Sequence, residues 1–161
     1  MANPTPFDPT TATHVPVTGK TPKQLKYAPD FKGITGCPFK AQAAFGEFSY
    51  RIVHGKKDHP DNFRPAAILF PDRFADEADE TRCQSWALSM FETLDQLKAH
   101  FKKMTKRVPN WGKLAGDHST RLKIGASHGQ RTDANYNGHF SFHEYADCDL
   151  AAAADDPSPI V

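Results

Sequence analysis

The spacing of hydrophobic and polar positions changes several times along this chain. In Phe48-Ser-Tyr-Arg-Ile-Val the two kinds alternate, which predicts a half-buried strand. Phe48, Tyr50 and Ile52 share its apolar face, and Ser49, Arg51 and Val53 share the other. Ala66-Ala-Ile-Leu-Phe is a short apolar run between Pro65 and Pro71 and predicts a short strand or extended loop. Residues 71–82 are acidic and read as loop. Ser85 to Phe91 alternates again, with Trp86, Leu88 and Met90 on one side. The period then becomes helical: Leu94, Leu97, Phe101 and Met104 recur at helix spacing, and Thr93 with Gln96 forms a capping-box pair. Pro109 ends that helix, so it spans about 94–106. Arg121 to Ala126 and His139 to Tyr145 predict two more strands, punctuated by Gly125, Gly129 and Gly138. The pattern is that of an α+β fold: a single mixed or antiparallel sheet with one main amphipathic helix.

The ends differ from the middle. Seven of the 13 prolines fall in residues 1–40. Residues 1–30 are expected to be an extended or disordered arm, 31–150 a single globular domain, and 151–161 a fading helix or loose tail. A length of 161 residues suits one such domain. No run of about 18 apolar residues is present, which leaves no membrane-spanning segment and no membrane partner. Met1 precedes neither a basic nor an apolar leader stretch, so a cytoplasmic location is expected. Cys37, Cys83 and Cys148 match no zinc or redox spacing and are expected as reduced thiols.

Charge changes the picture only locally. The formal net charge is +1, yet between Lys98 and Arg131 nine basic residues face the single acid Asp117, a local +8. Within that block Lys102, Lys103, Lys106, Arg107, Trp111 and Lys113 form a candidate nucleic-acid surface: the cations would hold phosphates and the indole would stack a base. The same cations also suit a solvated helix end, where the macrodipole favours positive charge. RNA, DNA or an acidic protein would be the partner of such a face.

His118, His128, His139 and His143 fall in the last third. On a strand, positions 139 and 143 stand about 13 Å apart, at about 3.3 Å per residue, so they cannot share one ion, and no metal is expected. Histidine as general acid or base beside Arg or Lys is adequate for metal-free chemistry. Another constellation is Arg51, Ser89 and Glu144, each on or beside a predicted strand. The fork of Arg51, with Tyr50 beside it, suits a pyrophosphate. Glu144 suits a ribose hydroxyl, with Ser89 and His139 as its catalytic neighbours.

The segments Phe48-Ser-Tyr-Arg-Ile-Val, Asn62-Phe-Arg-Pro, Ala87-Leu-Ser-Met-Phe-Glu-Thr-Leu and Gly138-His-Phe-Ser-Phe-His resemble those of small, poorly characterised bacterial proteins over about residues 45–150. The order Arg51, Ser89, Glu144 also resembles that of ADP-ribosyltransferase-like folds, including NAD-consuming toxins with RES domains. No Glu/Gln-x-Glu motif is present, His143 sitting directly before Glu144, and Met90-Phe91 follows Ser89 in place of their Ser-x-Ser/Thr core. That resemblance implies a small bacterial or phage-linked toxin or effector. It would use NAD or a related nucleotide at Arg51, Tyr50, Ser89, His139 and Glu144, with an antitoxin-like partner. The alternative is a non-catalytic nucleic-acid- or protein-binding module using the basic 98–131 segment.

Overall fold

The computed structural model describes residues 23–161. The expected arm therefore lies largely outside the described residues. Its last part, from Lys23 on, is packed: the Lys26 N–H donates to the Glu144 carbonyl at 2.9 Å, and a short helix, α1 (Ala28–Phe31), follows.

The sheet is antiparallel throughout. It contains β1 (Gln42–Val53), β2 (Leu88–Phe91), β3 (His118–Arg131), β4 (His139–Glu144) and β5 (Ser158–Pro159), in the order β1-β2-β4-β3-β5. β3 also pairs along β1, so β1, β2, β4 and β3 form a closed circuit. Two register shifts on either side of Phe45 let the long β1 bend, and Gly46, inside the second, has φ 78°, a conformation that suits glycine.

Closure decides which face is inside. Ser49, Arg51 and Val53 are buried, whereas Phe48 is half exposed. The face that the sequence marks as polar thus looks into the closed circuit. Leu88, Met90, Leu122, Ile124, Phe140 and Phe142 fill the main core. The opposite face of β1 and β2 is covered by α4 (Leu94–Arg107), whose Leu97 and Phe101 pack with Phe91, Tyr50 and Ile52. The capping box is formed: the Gln96 N–H donates to Thr93 Oγ1 at 3.2 Å, and the Thr93 N–H to Gln96 Oε1 at 3.1 Å.

Other segments depart from expectation. Residues 66–69 form a one-turn helix, α2 (Ala66–Leu69), since Pro65 presents its carbonyl to the Ile68 and Leu69 N–H groups. Part of the expected acidic loop is α3 (Asp79–Ser85). Cys83 on α3 is joined to Cys37 by a disulfide, which corrects the expectation of three reduced thiols; Cys148 alone is free. After α5 (Trp111–Ala115) and β4, the expected loose tail is seated. It forms α6 (Leu150–Ala153), bridges Leu122 through Ala154, adds β5 to β3 and buries Ile160 beside α4. No described helix is long and apolar enough to cross a membrane.

Candidate functional site

The pairing of β2 with β4 sets Ser89 opposite Ser141 and Phe91 opposite His139, so all four share a sheet face. α4 lies over that face, and residues 61–74 with α3 wall the other side. Between them is a cavity of about 360 Å³. Ser89 Oγ lies 2.6 Å from His139 Nε2. Burial lowers the pKa of His139, and His100 lowers it further, so the ring is neutral near pH 7 and its nitrogen can accept a proton. His100, from α4, is the next ring, 6.5 Å from His139 between centroids, and Phe91 contacts both, at 5.0 and 5.4 Å. Burial and then Lys103 lower the His100 pKa as well.

Arg51 braces the site. Its guanidinium donates to three carbonyls: Asn62 at 2.6 Å, Ser89 at 3.0 Å and Arg64 at 3.2 Å. One side chain thus fixes the backbone of Ser89 and the loop after β1. Burial lowers its pKa to about 10, with Glu144 opposing, so it stays cationic near neutrality. Asn62, also buried, completes the loop, accepting from the His54 N–H at 2.7 Å and donating to the Lys56 carbonyl at 2.8 Å. Arg64 and Arg73 line the cavity with Arg51. The lining carboxylate is Asp61, already paired with Arg64 at 3.3 Å. Phe70, Phe74, Met104 and Trp111 give apolar walls, so the cavity favours an anionic ligand with an apolar or ring-shaped body.

Glu144 stands elsewhere. It lines a second cavity of about 400 Å³ with Lys26, Tyr27 and Arg64, and pairs with Lys26 at 3.3 Å. Burial raises its pKa, with Lys26 and Arg51 opposing. Of the sequence-derived set, Arg51, Ser89 and His139 meet at the first cavity, while Glu144 opens on the second. Tyr50 packs into the α4 core.

Lys102, Lys103, Lys106, Arg107 and Lys113 are exposed, but Trp111 turns inward to the first cavity instead of standing beside them. The other histidines are spread out. His118 binds Asp117 at 2.6 Å, His128 accepts the Gly125 N–H at 2.8 Å, and His143 is buried edge-on to Phe31.

Two features escaped sequence reasoning. His100 had a signal: it is a polar residue within the inward stripe of Leu97, Phe101 and Met104. The second feature is His54, His59 and Asp61, whose donor atoms lie within 4.8 Å of one another. These are metal-ligand types, yet the fit is poor. The two imidazoles lie face to face, 3.9 Å apart at 24°, so their in-plane lone pairs run nearly parallel and do not meet at one point. The Asp61 N–H also donates to His59 Nδ1 at 3.2 Å, whereas a ligating histidine normally donates from its second nitrogen.

No protein-family model matches the chain, and no curated protein or solved structure matches it either.

Proposed function

We propose that the first cavity is an active site for a small anionic, ring-bearing ligand of the nucleotide class. His139 acts there as base and Ser89 as the hydroxyl it activates. The observation that carries this reading is the 2.6 Å contact between Ser89 Oγ and His139 Nε2, at the wall of a 360 Å³ cavity that three arginines line. The pair is a dyad: among the described residues no carboxylate is hydrogen-bonded to the His139 ring. Arg51 is a positioning residue that holds the Ser89 backbone. NAD belongs to the same ligand class. Its use in the transferase manner would need Glu144, which lines the other cavity.

Calorimetry with adenosine monophosphate and with NAD tests the ligand class. Saturable binding of either one, weakened at least tenfold in Arg73→Gln, is expected. Absence of binding by both at millimolar concentration would contradict the reading.

A second reading has its own observation. Lys102, Lys103, Lys106 and Arg107 are exposed on α4, and none has an acidic partner among the described residues. That face would hold a polyanion through phosphate contacts alone. For compartment, the Cys37–Cys83 disulfide favours oxidising surroundings over the expected cytoplasm, where thiols are kept reduced.

A further inference from the structure

We propose that His100 is the general acid of this site and that the reaction is metal-free hydrolysis of a phosphate ester through a phosphoserine at Ser89. The inference rests on the Ser89–His139 reading above and adds the substrate class and the second proton.

The cavity brings together what such a reaction needs. Ser89 Oγ is held by His139 Nε2 at 2.6 Å. A second imidazole, His100, lies 6.5 Å from the first between ring centroids and lines the same cavity. In-line displacement puts the attacking and leaving oxygens on opposite sides of phosphorus, so base and acid must stand apart. A hydrogen bond of about 2.8 Å to each in-line oxygen, bent at that oxygen, leaves the two ring nitrogens on the order of 6–9 Å apart, which imidazoles with centroids 6.5 Å apart can match. Arg73, with Arg64 beside it, supplies the charge that a phosphoryl group requires in place of a metal, while Arg51 stays committed to backbone carbonyls. A bound phosphate dianion also favours the protonated form of His100, opposing the effects of burial and Lys103.

The steps balance. Ser89 Oγ attacks phosphorus, and its proton passes to His139 Nε2 as the O–P bond forms. The P–O bond to the alcohol breaks, and the departing oxygen takes the proton of His100. Water then attacks the phosphoserine and gives a proton to the now neutral His100. The P–Oγ bond breaks, and Ser89 recovers its proton from His139. Both rings return to their starting states.

Leaving-group dependence separates this role from a structural one. A nucleoside hydroxyl must be protonated as it departs, whereas p-nitrophenolate leaves unaided. Rates with adenosine 5′-monophosphate and with p-nitrophenyl phosphate would be measured for the wild type, His100→Gln, His100→Asn and Ser89→Ala. The wild type should hydrolyse both. The His100 variants should lose about 100-fold or more on the nucleotide and less than tenfold on the aryl ester, in line with the usual worth of general acid catalysis. Ser89→Ala should lose both activities. Equal losses on the two esters in a folded His100 variant, or no loss on either, would overturn the role of His100 while leaving Ser89 and His139 in place. A wild type inactive on both esters, or Ser89→Ala as active as the wild type, would overturn the dyad and this inference with it.

Discussion

Arg51 and Glu144 show how two buried charges in one fold come to serve different ends. Arg51 is 7 % exposed and gives three of its five N–H groups to backbone carbonyls, so its work is mechanical. Glu144 is 3 % exposed and has the half-exposed Lys26 as its ion-pair partner. Its pKa is raised above the ordinary 4.5 because burial outweighs Lys26 and Arg51. The folded chain therefore holds this proton more tightly than the unfolded chain does. The stabilising contribution is fully present below pH 4.5 and is lost as pH rises through the raised value. Glu144→Gln, which keeps the shape without the charge, should be at least as stable as the wild type at pH 7 in denaturant unfolding. The wild type should gain on the variant as the pH falls to 4.5. A variant clearly weaker at pH 7 would mean that the Lys26 pair outweighs burial. The position of Arg51 on a strand was legible from alternation. Its place inside was not, because alternation separates two faces without saying which one the closed circuit encloses and which one α4 covers.

Among the elements, α4 was the most legible, because capping box, apolar stripe and terminal proline all agree. α2 was misread because five apolar residues between prolines carry no period, and a backbone cap at Pro65 decided the outcome. β5 was missed and α6 was foreseen only as a fading helix or loose tail, because their sequence is alanine- and proline-rich and the segment is held by pairing with β3 that local patterns do not encode. The disulfide was missed for a related reason: 46 positions separate its cysteines, and only the packing of α3 against the Phe31 cluster brings them together. It anchors a wall of the first cavity, since Thr81, Gln84 and Ser85 of α3 line it. The polyanion reading is tested on α4 itself. Affinity for a single-stranded RNA oligonucleotide should fall steeply between 50 and 200 mM salt, and Lys102→Glu with Lys103→Glu should weaken it at least tenfold. Binding indifferent to salt would remove that face from consideration.

Across the whole molecule, the strands were foreseen and their circuit was not, since pairing of β1 with both β2 and β3 depends on contacts far apart in sequence. Half of the candidate site was legible in the same sense. Ser89 and His139 were named from residues 50 apart, and strand register makes them neighbours. His100 came from a helix whose register over the sheet no periodicity reveals, and the turn before β4 helps to set that register. Gly138, at φ 72°, lies so close to the Gln96 side chain that a methyl group there would collide with the residue that caps α4.

The central claim is that His139 activates Ser89, and a fluorophosphonate probe reports on that directly. Incubation followed by peptide mapping should place the label on Ser89 in the wild type and leave His139→Gln unlabelled at equal exposure. An unlabelled wild type, or equal labelling of the two proteins, would contradict it.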